Sequence, residues 1–139
     1  MKKLNKILLV DDDSTSNFLT QMILEDLQVT DTIVVKKNGQ EALDYIKETC
    51  ISKGESCPEL IFLDINMPIM DGFELLDEMQ RLKEIKGDDS HATVVLLTTS
   101  NNPKDIEKAK TYNITYYIEK PLTEDSIRQL ITQTFNIVK

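Results

Sequence analysis

The sequence predicts an α/β fold: a doubly wound sheet of five parallel strands with helices on both faces. Three observations predict it. Short apolar runs alternate with amphipathic stretches five times along the chain. Two of the runs, LIFL at 60–63 and VVLL at 94–97, are apolar at consecutive positions, as strands buried on both faces should be. The length, 139 residues, is that of one compact domain with one hydrophobic core.

The elements follow in order. KILLV at 6–10 is the first strand, and Asp11, Asp12 and Asp13 end it. A first helix follows, with Leu19, Met22, Ile23 and Leu27 on one face; Asp13 or Ser14 could cap its start. TIVV at 32–35 is the second strand and runs into Lys36, Lys37 and Asn38. Ala42, Leu43 and Ile46 mark the second helix, and a long polar loop spans 50–59. LIFL at 60–63 is the third strand and ends at Asp64. Leu75, Leu76, Met79 and Leu82 mark the third helix, and a second long loop spans 83–92. TVVLL at 93–97 is the fourth strand, ending in Thr98, Thr99 and Ser100. The fourth helix, 103–112, offers only Ile106 and Ala109 as apolar anchors; Asn101 or Asn102 can cap it and Pro103 fits its first turn. TYYI at 115–118 is the fifth strand, followed by Glu119, Lys120 and Pro121. The last helix carries Ile127, Leu130, Ile131, Phe135 and Val138 as a stripe. No repeat, linker or second domain interrupts the pattern, so a single domain over 1–139 without an attached output domain is expected.

Composition narrows the function. The net charge is −8, with 40% hydrophobic and 29% charged residues. Bulk charge of that sign argues against nucleic-acid or anionic-membrane binding. The opening MKKLNKILLVDDD is too short in its apolar part for a signal peptide, and no stretch could span a bilayer, so a cytoplasmic protein is expected. Cys50 and Cys57 flank a polar segment without a nearby histidine; two free thiols are expected rather than a zinc site or a disulfide. His91, the one histidine, reads as a solvated loop residue.

In open parallel sheets, ligands bind at the carboxyl ends of the strands. The loop DDDSTSN after the first strand has no glycine, and its carboxylates would repel a free phosphate. Dinucleotide, flavin and P-loop readings are thereby disfavoured. Acids from the first and third strand ends would converge, and such a cluster ionises fully only around a cation. Magnesium suits it: a hard ion held by one or two carboxylates, waters and a phosphate. Asp64 is then either a structural carboxylate or a nucleophile toward phosphoryl groups. Lys120 could neutralise a transferred phosphoryl group and Thr98 could donate to one of its oxygens. Singly, Lys120 belongs to a turn, Thr98 to a strand end and the aspartates at 11–13 to a helix start; together with Asp64 on one sheet edge they favour the site.

Four motifs, VDD at 10–12, LDINMPIMDG at 63–72, LTTS at 97–100 and YIEKP at 117–121, resemble the receiver domain of two-component response regulators. The resemblance covers essentially the whole chain. It implies the flavodoxin-like strand order 2-1-3-4-5. It also implies that Asp64 accepts a phosphoryl group from the phosphohistidine of a histidine kinase. Mg²⁺ would be held by Asp12 directly, by Asp11 mainly through water, by Asp64 and by the main-chain carbonyl of Asn66. Thr98 and Lys120 would hold phosphoryl oxygens. Tyr117 would be the aromatic switch that follows Thr98, and the Lys120–Pro121 peptide would be cis. Asn66 and Ser100 would tune how long the phosphoryl group survives. The first helix and its neighbouring loops would dock the kinase. The face of the fourth helix, fifth strand and fifth helix would change its preference for a downstream protein, in a monomer or weak homodimer. The run LTTSNNPKDIEKA resembles stand-alone receivers paired with phytochrome-type or hybrid kinases. Three rivals remain. One is a relay intermediate or phosphate sink exchanging phosphoryl with a histidine phosphotransfer protein. Another is an unphosphorylated pseudo-receiver. The third is an aspartate-nucleophile phosphatase, whose usual D-x-D is here Asp64-Ile65-Asn66.

Overall fold

The computed structural model describes residues 3–52, 57–86, 93–98, 103–112, 114, 116–120 and 122–135. The expected strands form: β1 (Ile7–Val10), β2 (Ile33–Lys36), β3 (Leu60–Asp64), β4 (Thr93–Thr98) and β5 (Tyr116–Glu119). They make one parallel sheet in the order β2-β1-β3-β4-β5. Among the described residues, five α-helices connect or follow them: α1 (Ser14–Leu27), α2 (Gly39–Ile46), α3 (Gly72–Lys86), α4 (Pro103–Thr111) and α5 (Glu124–Phe135).

Alternate residues of the central strands feed two cores. Ile7, Leu9, Leu60, Phe62, Val95 and Leu97 meet Leu24, Leu27, Ile127, Leu130 and Ile131 of α1 and α5. Leu8, Val10, Ile61, Leu63, Val94 and Leu96 meet Ala42, Leu43, Ile46, Phe73, Leu75, Leu76 and Ala109 of α2, α3 and α4. This is why LIFL and VVLL are apolar without a break: both strand faces are covered. Side chains close the helix starts. Asp13 accepts from the N–H groups of Thr15 and Ser16. Asn38 accepts from Glu41 N–H. Asp71 and Glu74 cap each other's N–H groups at 2.8 and 2.9 Å, and Thr123 and Ser126 do so at 3.1 Å.

Two expectations need correction. The α1 face is rotated from the one the apolar residues suggest. Asn17, Thr20, Leu24 and Leu27 point inward, Ile23 packs partly, and Phe18, Leu19 and Met22 are exposed. The inward polar pair is satisfied locally: Asn17 donates to the Asp11 carbonyl and Thr20 to the Ser16 carbonyl, so burying it leaves no orphan donor. The two thiols are not free either. Cys50 and Cys57 form a disulfide, with Cα atoms 4.6 Å apart. A π-helical turn, Lys47–Ser52, prolongs α2 and carries Cys50 onto the second core. Asn5 donates to the Cys57 carbonyl and Glu59 N–H to the Lys6 carbonyl, which fixes the returning chain beneath β1. The sequence argument against pairing rested on compartment, whereas the bridge follows from this placement. His91, Asn101 and Asn102 lie outside the described residues, and so does Val138 of the last stripe.

Candidate functional site

The carboxyl ends of β1, β3, β4 and β5 meet at one edge of the sheet. Asp11 and Asp64 are buried there, and Asp12 beside them is exposed. One carboxylate oxygen from each of the three lies within 4.8 Å of the others. Lys120 Nζ stands 2.6 Å from Asp11 Oδ2 and 3.5 Å from Asp64 Oδ2. The shorter contact is an ion pair rather than a directional hydrogen bond, since buried Asp11 Oδ2 has no hydrogen-bond partner of good geometry. Thr98 closes β4 and is 1% exposed.

Main-chain contacts hold these side chains in place. Asp11 N–H donates to the Lys36 carbonyl of β2, while Asp11 Oδ1 accepts from Asp13 N–H at 3.0 Å. The Asn17 amide, from the first turns of α1, holds the Asp11 carbonyl at 2.9 Å. Lys120 N–H donates to the Thr98 carbonyl at 2.7 Å, tying the β5 end to the β4 end. Asn66 N–H donates to Asp64 Oδ1 at 3.3 Å. Gly72 closes the loop behind Asp64: its N–H donates to the Ile65 carbonyl, and a Cβ there would stand 2.6 Å from the Asp64 carbonyl. Only glycine fits that approach. Within this loop, Met70 N–H reaches the Pro68 carbonyl at 2.7 Å across Ile69, whose φ is 70°. That is a three-residue turn with a β-branched residue in the left-handed region, a strained conformation. It leaves Ile69 78% exposed.

Electrostatics follow from burial and crowding. Burial, then the neighbouring Asp11 carboxylate, push Asp64 up to about 6, against the pull of Lys120 and the Asn66 N–H. Burial alone would lower the pKa of Lys120; its contacts with Asp11 and Asp64 outweigh that and raise it. Lys120 is therefore a firm cation facing two acids. The donor set of three carboxylates, two of them buried and one of these lacking a hydrogen bond of good geometry on Asp11 Oδ2, fits a hard divalent ion.

Of the remaining sequence candidates, Asn66 is exposed two residues beyond Asp64. Tyr117 sits on β5 opposite Leu96, packed partly on the second core. Its hydroxyl is buried and has no hydrogen bond of good geometry among the described residues. Burial pushes the phenol's pKa up, Thr98 opposes this, and Asp105 adds to it. Ser100 and Pro121 lie outside the described residues, as does the Lys120–Pro121 peptide. Sequence reasoning missed Asn17. Its only trace in the sequence is the spacing 17-20-24-27, which puts an amide where a core residue is expected.

The family model of the response regulator receiver domain matches residues 7–132. The probable methanogenesis regulatory protein FilR2 of Methanothrix harundinacea is 30% identical, over 91% of this chain and 79% of its own. A solved two-component response regulator from Cytophaga hutchinsonii is 31% identical with a TM-score of 0.82, covering 97% of this chain and 99% of that one. The Mn²⁺-bound form of response regulator Rcp1, a protein known from Synechocystis, is 27% identical with a TM-score of 0.73, covering 97% of both chains.

Proposed function

The chain belongs to the response regulator receiver domain family of two-component systems, and from that premise we propose that Asp64 accepts a phosphoryl group from the phosphohistidine of a histidine kinase or a histidine phosphotransfer protein. The observation that carries the reading is the placement of Lys120 between Asp11 and Asp64, with Asp12 completing the acid cluster.

Each residue has a physical task in this reading. An Asp64 oxygen attacks phosphorus; the P–O bond forms as the P–N bond breaks, and the electron pair returns to the imidazole, which takes up a proton. Lys120 neutralises charge that accumulates on the phosphoryl oxygens, and the Thr98 hydroxyl donates to one of them. Positioning and neutralisation do most of the work because the buried edge offers little solvent to screen the charge.

The receiver family binds Mg²⁺ at its acidic pocket, and the Rcp1 neighbour was solved in a Mn²⁺-bound form. In this chain Asp11, Asp12, Asp64 and the Asn66 carbonyl would hold the ion, whose positive charge offsets that of the acids and of the phosphoryl group. Asn66, exposed beside Asp64, would govern water access and hence the lifetime of the aspartyl phosphate, with Ser100. Thr98 and Tyr117 would couple phosphorylation to β5. The exposed apolar side chains of α1 and Ile69 would form the docking surface for the histidine-bearing partner. No described helix is long and apolar enough to cross a membrane.

Intact-mass analysis after acetyl phosphate treatment tests the reading, with and without Mg²⁺, on the wild type and Asp64→Asn. One Mg²⁺-dependent phosphoryl adduct, absent from Asp64→Asn, is expected. An adduct that persists in Asp64→Asn would move the acceptor elsewhere.

A further inference from the structure

The helix α4 is weakly held by its own apolar residues: Ala109 is the one it buries, and Ile106 is half-buried. What fastens its carboxyl end is polar and aromatic, and it comes from α3. The Tyr112 hydroxyl donates to Asp77 Oδ1 at 2.7 Å. The Tyr112 ring stacks on Phe73, with centroids 5.9 Å apart and planes at 21°. Lys108 Nζ lies 4.7 Å from the centroid of the same Phe73 ring. Tyr112 is itself bonded to the end of α4, its N–H donating to the Ala109 carbonyl at 3.0 Å. Phe73 is 5% exposed and follows Gly72, the residue packed directly behind the Asp64 carbonyl. A short run of packed groups thus leads from the main chain of Asp64, through Gly72 and Phe73, to Tyr112 and α4.

We propose that Tyr112 and Asp77 form a latch that holds α4 against α3 in the unphosphorylated protein, and that phosphorylation must release this latch to move α4. The inference rests on Asp64 being the phosphoacceptor. A ligand shifts a two-state equilibrium only by its differential affinity, so every contact made solely in the resting state opposes the shift. Phe73 is positioned to feel a displacement at Asp64 and to pass it to the Tyr112 ring. The hydrogen bond to the Asp77 carboxylate pushes the Tyr112 phenol up to about 12, as a donor held by an anion should be. The latch is not what first joins the two helices to the fold, because α3 and α4 each reach the second core through Leu75, Leu76 and Ala109.

Beryllofluoride with Mg²⁺, which imitates an aspartyl phosphate, provides the test. Its titration is followed by NMR for the wild type, Tyr112→Phe, Asp77→Ala and the double variant. Tyr112→Phe keeps the stack and loses only the hydroxyl; Asp77→Ala removes the acceptor from an exposed helical position, so both should fold. The expected result is a beryllofluoride midpoint lowered about 3- to 10-fold in each single variant, the range one hydrogen bond can supply. The double variant should go no further than either single one. Midpoints within 1.5-fold of the wild type, even with a lowered melting temperature, would overturn the latch and leave Tyr112 a stability contact. A wild type whose spectrum does not move would overturn the phosphoacceptor reading and the latch with it. The wild-type arm therefore reads the site, and the variant arms read the latch.

Discussion

Asp64 is a buried carboxylate beside a second carboxylate, and its environment favours the protonated form. Its pKa rises from the ordinary 3.8 to about 6, through burial first and Asp11 second. The folded protein therefore binds this proton more tightly than the unfolded chain. The stability that Asp64 contributes is fully present below about pH 4 and lost as pH rises through about 6. Above that, the ionised group costs the metal-free fold about 3 kcal/mol. Asp64→Asn imitates the protonated state. With EDTA present, it should be more stable than the wild type by about 2–3 kcal/mol at pH 8, and the two should converge near pH 4. Urea midpoints at pH 4, 6 and 8 measure this; equal midpoints at pH 8 would show that Lys120 compensates the burial fully. Residue identity made Asp64 legible as a candidate, because an acid stood at the end of an apolar run. Its raised pKa was not legible, since that depends on how closely Asp11 and Lys120 approach.

The elements show the same division. The strands could be read to within one residue at every end, because apolar runs bounded by polar residues have few other uses. Helix starts were legible where a side chain caps, as at Asp13, or where proline opens the first turn, as at Pro103. The inward face of α1 was not, since Asn17 and Thr20 are buried by virtue of local hydrogen bonds rather than hydrophobicity. Nor was the segment after α2, where a π-helical turn runs to Ser52 and a disulfide ties Cys50 to Cys57. The Cys50–Cys57 bridge closes a small ring, so reducing it should lower stability by only about 2 kcal/mol. Cys50→Ser should lose about as much as reduction does. Both are measured by urea unfolding with and without a phosphine reductant. The bridge joins the amino-terminal end of β3, whereas Asp64 lies at its carboxyl end. Phosphorylation by acetyl phosphate should therefore proceed equally in the reduced protein.

For the whole molecule, the sheet separates two kinds of surface. One edge gathers Asp11, Asp12, Asp64, Thr98 and Lys120, and α1 beside it turns Phe18, Leu19 and Met22 outward at 61, 48 and 45% exposure. A stripe that apolar on an amphipathic helix is better explained by a partner than by solvent. Phe18→Glu and Met22→Glu should slow phosphotransfer from a histidine-bearing protein at least about 10-fold, as loss of central apolar anchors commonly does. They should leave acetyl phosphate labelling unchanged, because neither residue touches the acid cluster. Radiolabel transfer compared with intact-mass labelling separates the two effects. Loss of both activities would place α1 in the integrity of the site instead.

Sequence alone determined the five β–α units, the placing of chemistry at strand ends and the identity of the acid, hydroxyl and amine groups there. It could do so because periodicity is local and because parallel topology brings all carboxyl ends to one edge. Tertiary structure alone decided that Lys120 bridges Asp11 and Asp64, which side of α1 is buried, that Cys50 meets Cys57 and that Tyr112 clasps Asp77. Each of these joins residues from different elements or turns on the exact rotation of one. Distances of a few ångströms between such residues are set by packing of the whole core, and no local pattern of residues encodes them.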